Sequence, residues 1–309
     1  MVINLGIAGV SEGNGHPFSF SAIVNGYDES NFLKAGWPAI LNYLRSAPES
    51  QNGLESATVT HAWTQNPSTT STLCAATKIK NQCANLEDMI GEVDALIIAR
   101  DDWENHYKMA KPFLEYGIPV FIDKPLSLNE EDLQNFLPYL QAGQLMTCSG
   151  FRYAAELSDK KSIFSKVGKL KLVSGIVVND FAKYGIHLLE AVFALFSMSP
   201  KSVILSRNNV SHESYSLEFE DGFVFSLDCL GNFRKVFRLN FYGESGSLEI
   251  NLTDNFSAFK VTIQKFLEMV ETHKPPFDPY ETSSLMQILK SGNQLSKGDF
   301  TCIEFKAGI

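Results

Sequence analysis

The sequence predicts an α/β chain: an N-terminal parallel sheet of the Rossmann type, then an α+β half built on a mostly antiparallel sheet. Two observations carry this. Over the first 125 residues short apolar runs alternate with helical stretches, the pattern of a parallel sheet covered on both faces. From about residue 200 short strands follow one another with turn signals between them. A chain of 309 residues, 44% hydrophobic and 20% charged, has enough apolar side chain for two such cores.

Each element has its own signal. Residues 2–10 are an apolar run ending at Gly9, read as a buried strand entering a glycine turn, and a helix continues over Phe18–Val24. Residues 26–56, with Trp37, Pro38 and Tyr43, read as an insertion before a second strand at 57–63. Buried strands follow at 93–99 and 120–122, with a helix over 103–116 between them. The expected division is a dinucleotide-binding domain at 1–125 and a substrate-binding and oligomerisation domain at 126–309. In the latter, Asn129 followed by Asp132 predicts a capped helix over 130–141. A strand is expected at 170–179 and helices at 181–197, 258–271 and 280–296. Asp221-Gly222, between the runs 215–219 and 223–227, predicts a hairpin. Gly231-Asn232 predicts a turn before 236–242. The lysine-rich stretch Lys160–Lys171 reads as a solvated face.

Composition excludes several classes. A net charge of -9 disfavours a general phosphate-backbone binder, so no nucleic-acid partner is expected. Cys74, Cys83, Cys148, Cys229 and Cys302 are dispersed and form no CxxC pair, which reads as reduced thiols in a cytoplasmic protein. No signal peptide is read at the start, and no run approaches the ~18 apolar residues of a membrane helix, so no membrane partner is expected. The three Asn-x-Ser/Thr triplets are then chance.

Three stretches carry chemistry, and a loop after the second strand bears on the cofactor. Gly9 to His16 lies between a strand and a helix, where glycines let backbone N–H groups approach a pyrophosphate. Ser11 and Asn14 replace two glycines of a clean GxGxxG, and an ordinary tight turn reads about as well. Thr64–Thr70, after the second strand, holds no Asp or Glu to grip an adenosine ribose. With Thr64 as its leading polar residue, the loop leaves NAD and NADP open, with a mild lean to NADP. Lys124 directly follows the strand 120–122, at the carboxyl end of the sheet, where ligands of such folds bind; alone it would read as a surface lysine. In the third stretch Phe181, Tyr184, Leu188, Val192 and Leu195 make a helical apolar stripe. His187 there can exchange a proton near neutral pH, although a packed helix histidine is the commoner case. Glu190 is its i, i+3 neighbour. No further ligand cluster accompanies this His-x-x-Glu pair, so no metal is assigned.

In combination these motifs resemble the Gfo/Idh/MocA family of NAD(P)-dependent oxidoreductases. The resemblance runs from the glycine turn through Asp94–Ala99, His106, Asp123-Lys124-Pro125, Gly150-Phe151-Arg152-Tyr153 and Gly185–Glu190. It covers nearly the whole chain apart from residues 26–56. Asp123-Lys124-Pro125 is similar to the family's Glu-Lys-Pro, with a shorter acid. The resemblance implies Lys124 and His187 as catalytic residues. It implies Gly9, Ser11, Asn14, His16, Thr64, Asp102, His106, Asp123 and Lys124 on the cofactor, and Arg152, Tyr153, Lys183, Tyr184 and Glu190 on the substrate. The reaction implied is hydride transfer between a nicotinamide and a secondary alcohol or ketone carbon of a sugar, sugar derivative or cyclitol. A catalytically silent NAD(P)-binding sensor or assembly partner of the same fold is the alternative. Two departures stand out: Lys183 replaces an acid, and Arg100-Asp101-Asp102 replaces Thr-Pro. A homodimer or homotetramer is also expected. The family pairs through its antiparallel sheet, and Phe219, Phe223, Phe225, Phe233, Phe237 and Phe241 read as apolar residues on both faces of that sheet.

Overall fold

The computed structural model describes residues 2–48, 53–196, 199–209, 211–220, 222–298 and 301–305. The chain forms two compact units: Met1–Cys148 with Phe259–Pro279, and Ser149–Ala258 with Tyr280–Ile309.

The first unit is a six-stranded sheet. Its strands are β1 (Ile3–Ala8), β2 (Ala57–Trp63), β3 (Asn81–Gln82), β4 (Ala95–Ile98), β5 (Val120–Ile122) and β6 (Leu145–Thr147). Their spatial order is β3-β2-β1-β4-β5-β6, and every pairing is parallel. This is the order of a doubly wound dinucleotide-binding sheet, whose crevice opens at the carboxyl ends of β1 and β4, where the strand order reverses. All four residues of β4 and all three of β5 are buried, which explains their unbroken apolar runs. Helix α1 (His16–Asn25) starts at the glycine turn. The stretch 26–56 contributes α2 (Glu29–Lys34), capped by Asp28, and α3 (Pro38–Ser46). Helix α4 (Pro67–Thr77) is capped by Asn66. Helix α5 (His106–Tyr116) follows a single 3-10 turn at Trp103–Asn105. In α6 (Glu130–Gln141) the Asn129 side chain accepts from the Asp132 N–H, as the capping signal predicts.

The expected boundary at residue 125 moves to 148. The reason is β6: its three residues pair in register with β5, so the capped helix and the strand after it belong to the first sheet. The second correction concerns residues 258–271, which the sequence reading placed in the C-terminal half. From Phe259 onward the helix belongs to the first unit. There Phe259 packs on His16 and Phe20, at 5.0 and 5.3 Å between ring centroids, and Phe266 packs on Phe121 at 5.8 Å.

The second unit begins with short 3-10 turns and α7 (Lys160–Val167), whose lysines are exposed, as expected. Its strands are β7 (Leu170–Val177), β8 (Pro200–Asn209), β9 (His212–Phe219), β10 (Val224–Cys229), β11 (Phe237–Gly243), β12 (Ser247–Asn251) and β13 (Cys302–Glu304). The order is β12-β11-β7-β10-β9-β8-β13, antiparallel except that β10 runs parallel to β7. The β9–β10 hairpin forms, with Val224 opposite Glu218. Gly222 takes φ +81° in its turn, and Asp221 lies outside the described residues. Helix α8 (Ile186–Leu195) lies in this unit. Helix α9 (Asn255–Thr272) carries Phe259 and Phe266 back to the first unit, and α10 (Pro279–Lys297) follows.

The phenylalanines do not occupy both faces of this sheet. Phe219, Phe225, Phe237 and Phe241 are all buried at alternate positions, together with Leu217, Leu227 and Leu239. They share one face because strand side chains alternate. The intervening residues, such as Ser174, Ser216, Ser226 and Asn240, are half-buried and polar. Phe233 is exposed in a loop. The buried phenylalanines therefore supply core, not an exposed apolar interface. Among the described residues no helix is long and apolar enough to cross a membrane.

Candidate functional site

At the crevice of the first unit, three chain ends meet: the turn after β1, the segment after β4 and Lys124 after β5. Gly9 takes φ +82°, and a Cβ there would strike the Arg100 side chain at 2.3 Å. Glycine is thus required both by conformation and by Arg100 lying across the turn. Arg100 is held in turn by a bidentate pair with Asp102, its Nε donating at 2.7 Å. Asp102 also accepts from Asn105. Burial alone would raise the Asp102 pKa; Arg100, by hydrogen bond and by charge, more than offsets it and holds the carboxylate below its usual value.

Asp123 fastens the turn to the end of β5. Its Oδ2 accepts from Asn14 Nδ2 at 3.0 Å and meets His16 Nδ1 at 2.5 Å, while Oδ1 accepts from the Lys124 N–H at 2.9 Å. Burial pushes this carboxyl upward, but the His16 charge and hydrogen bond and the Lys124 charge outweigh it and hold Asp123 far below the usual carboxylate range. Asn14 is occupied at both ends, since its Oδ1 also accepts from the His16 N–H at 2.9 Å. Ser11 and Asp101 are hydrogen-bonded, and the other oxygen of Asp101 lies 3.8 Å from Lys124 Nζ. Lys124 is buried, with a cis bond to Pro125.

Two expected cofactor contacts are corrected. His106 is fully buried, with Nδ1 on the Leu126 carbonyl at 2.9 Å and Nε2 on the Arg100 carbonyl at 3.1 Å. It ties the segments after β4 and β5 together and presents no surface to a ligand. Burial lowers its pKa, against the opposing pull of the Leu126 carbonyl and Asp123. Thr64 is also buried; its hydroxyl donates to the Asn66 carbonyl at 2.8 Å and lies 2.9 Å from that of Thr70. It shapes the α4 cap and has no hydroxyl to offer a phosphate. The residue in contact with the glycine turn is Gln65, whose side chain donates to the Val10 carbonyl at 2.7 Å and accepts from the Val10 N–H at 3.1 Å.

This unit fits a dinucleotide. The strand order supplies the crevice, and Gly13, at φ +76°, leaves open space where a Cβ would stand. Arg100 lies on the turn as a phosphate-compatible cation. The missing feature is a carboxylate after β2.

In the second unit a single π-type turn, Phe181–Gly185, leads into α8. Such wide turns re-aim the side chains that follow. Here His187 is half-buried among the rings of Phe151, Tyr184 and Phe237, at 5.8, 5.5 and 5.3 Å between centroids. Its Nδ1 lies 2.7 Å from Ser149 Oγ. Ser149 also caps the 3-10 turn Gly150–Tyr153 by accepting from the Phe151 N–H. One helical turn on, Glu190 accepts from Arg152 Nη1 at 2.7 Å, and Arg152 Nη2 pairs with Glu281. Arg152 and Glu190 are both buried, so this triad builds the wall behind His187 more than it meets a substrate. Tyr153 and Tyr184 are half-buried and Lys183 is exposed. The structure thus unites Ser11, Asn14, His16, Asp123 and Lys124 in one network, and Arg152, Tyr184, His187 and Glu190 in another. Sequence reasoning missed Ser149, Gln65 and Glu281. Only Ser149 had a local signal, as a cap before Gly150. Among the described residues no group of three or more His, Cys, Asp or Glu side chains could hold a metal ion.

Comparison with known proteins agrees with this geometry. Residues 39–151 match the family model described as "Oxidoreductase family, NAD-binding Rossmann fold". The match starts beyond the glycine turn, whose departures are set out above. No curated protein sequence matches the chain. Among solved structures, myo-inositol 2-dehydrogenase from Lactobacillus plantarum is similar at TM-score 0.74 and 15% identity, over 99% of this chain and 100% of that one. The myo-inositol dehydrogenase of Lactobacillus casei, in complex with NAD(H) and myo-inositol, gives 0.74 at 13%, over 100% and 98%. A myo-inositol dehydrogenase from Corynebacterium glutamicum gives 0.75 at 11%, over the whole of both chains. At these identities the likeness is one of fold. Over residues 39–151 the chain is thus similar to the NAD-binding Rossmann domain of the Gfo/Idh/MocA oxidoreductases.

Proposed function

We propose that the protein is an NAD(P)-dependent dehydrogenase or reductase acting on a secondary alcohol or ketone carbon of a sugar, sugar derivative or cyclitol. The observation that carries this reading is Lys124, a buried ammonium at the carboxyl end of a Rossmann sheet, with Asp101 at 3.8 Å. A cation at that place stabilises the negative charge that develops on a reacting oxygen. When bound, the nicotinamide supplies the hydride acceptor or donor. Asp101 holds the Lys124 side chain in place. Ser149 orients the His187 imidazole, which takes up or returns the hydroxyl proton. Arg100 and the turn Gly9–Gly15 would hold the pyrophosphate. The absence of a carboxylate in the loop after β2 leaves NADP acceptable beside NAD and sustains the mild lean to NADP. The inositol dehydrogenases of the same fold support a sugar-like or cyclitol substrate, and a cytoplasmic setting fits the dispersed cysteines, none of them in a disulfide.

One observation favours the silent-binder alternative: Lys183, exposed just before the His187 helix, stands where the resembling family carries an acid. Reduced-nicotinamide absorbance with a panel of hexoses and cyclitols, run beside calorimetric titration with NAD and NADP, separates the two. Turnover abolished by Lys124→Ala supports the dehydrogenase. Tight cofactor binding with no turnover across the panel overturns it in favour of the silent binder.

A further inference from the structure

The second unit holds a cavity of about 580 Å³ between the loop 230–236 and strands β7, β11 and β12. That is the size of a small-ligand pocket. Its lining includes Arg234, Lys235 and Arg238 and no carboxylate. In a chain of net charge -9, such a wall runs against the average surface. Arg238 is engaged by Glu249 at 3.1 Å and by Asn251. Among the described residues Arg234 and Lys235 have no carboxylate within 4.0 Å. Arg234 and Lys235 are both exposed, so their charged ends are open to a bound anion; partial burial lowers the Lys235 pKa, a shift that an anion would oppose.

The cavity shares a wall with His187. Lys235 Nζ stands 5.8 Å from the centre of the Phe237 ring, and that ring meets His187 edge-on at 5.3 Å. The two distances put the ammonium no more than about 11 Å from the imidazole centre, within the span of one substituted sugar. The loop is also fixed to the segment that leads to His187. Gly231 and Asn179 exchange backbone hydrogen bonds at 3.1 and 2.8 Å, and the Leu230 N–H donates to the Val177 carbonyl at 2.9 Å. Cation and imidazole are therefore held on one framework.

We propose that Arg234 and Lys235 bind the acid group of an anionic sugar, so that the substrate is a sugar acid or sugar phosphate and not a neutral polyol. This rests on the dehydrogenase reading for its meaning but not for its test. A carboxylate and a phosphate offer the same oxyanion chemistry to a lysine and an arginine.

The test is calorimetric titration of the full chain with D-glucuronate, D-glucose 6-phosphate and D-glucose. At least one of the two acids is expected to bind about tenfold or more tightly than D-glucose, since each charge-assisted hydrogen bond is worth about one decade or more. The tighter of the two identifies carboxylate or phosphate as the group bound. Lys235→Met and Arg234→Met should each weaken that binding about tenfold, with the circular dichroism spectrum unchanged. Equal binding of neutral and acid sugars, or acid binding untouched by both variants, overturns the proposal. Lys235-dependent acid binding without hydride transfer to any sugar would leave the anion site standing and remove the dehydrogenase reading. Turnover of a neutral cyclitol at a kcat/KM indifferent to Lys235→Met would do the reverse.

Discussion

Arg152→Met removes the cation of a buried triad. Arg152 and Glu190 have side-chain exposures of 5% and 3%, whereas Glu281 keeps 23%. After the substitution Glu281 can fall back on water, but Glu190 cannot. Removing one partner of a buried pair costs about 3–5 kcal/mol, most of it the uncompensated charge left behind. Burial already raises the Glu190 pKa in spite of Arg152. A carboxyl with a raised folded pKa gives its full stabilisation below the unfolded value of about 4.3 and loses it as pH rises through the folded value. In the variant Glu190 rises further, so the penalty should be greatest at neutral pH and shrink as the solution is acidified toward about pH 4. Urea titration of both proteins from pH 7.5 to pH 4.5, followed by tyrosine and tryptophan fluorescence, measures the difference. The double variant Arg152→Met with Glu190→Met should recover most of the loss, because an apolar pair of similar volume replaces the ions. A neutral-pH loss under about 1 kcal/mol, or a difference that grows on acidification, would refute the reasoning.

Lys124→Ala should lower kcat by on the order of 10²-fold with the fold intact, by circular dichroism and steady-state kinetics. His187→Asn should cost ~10² to 10⁴-fold and remove the neutral limb of the pH–rate profile; a profile of unchanged shape would transfer the proton to another group, such as Tyr184, whose ring centre lies 5.5 Å from the imidazole. Asp123→Asn should loosen the glycine turn and weaken NAD(P) binding about tenfold by calorimetry, since His16 and Asn14 lose a charged acceptor. Thr64→Asp, which the loop's composition suggests as a switch toward NAD, should instead destabilise the protein, because it buries a carboxylate at a position 3% exposed; Ser68→Asp, at an exposed position, is the variant that should favour NAD in paired cofactor titrations. Light scattering should give a dimer or tetramer of the 34.3 kDa chain.

Much of this was legible in the sequence because the signals were local. The runs 95–98 and 120–122 are apolar because both sheet faces are covered, and Asn129 names its own cap. Lys124 was found by its place after a strand. What escaped depended on partners distant in sequence. Nothing near Glu281 signals that it will meet Arg152, 129 residues away. The alternation of β11 tells which residues share a face but not whether its phenylalanines share that face with those of β9 and β10; only the register decides. Thr64 and His106 were marked by position in the chain, whereas their burial follows from α4 and from the carbonyls of Arg100 and Leu126. The boundary at 125 failed because a three-residue strand, 145–147, carries too little pattern to be read as the sixth member of the sheet.

The return of Phe259–Pro279 to the first unit governs how the chain can be assembled during synthesis. The nucleotide-binding unit is the first to leave the ribosome, yet it is completed only when residue 279 has been made. From Ser149 through Pro279 the chain adds 131 residues, which take on the order of ten seconds to translate. For that interval the rings of Phe20 and Phe121 lack Phe259 and Phe266 and expose apolar surface to other nascent chains. The second unit, Ser149–Ala258, is nested inside this gap and is itself incomplete until Tyr280 and the residues after it emerge. Neither unit can therefore be cut out as one continuous fragment. A gene truncated after Cys148 encodes a sheet whose aromatic cover is missing, and the same interleaving ties the quality control of the two halves to a single event near the end of translation.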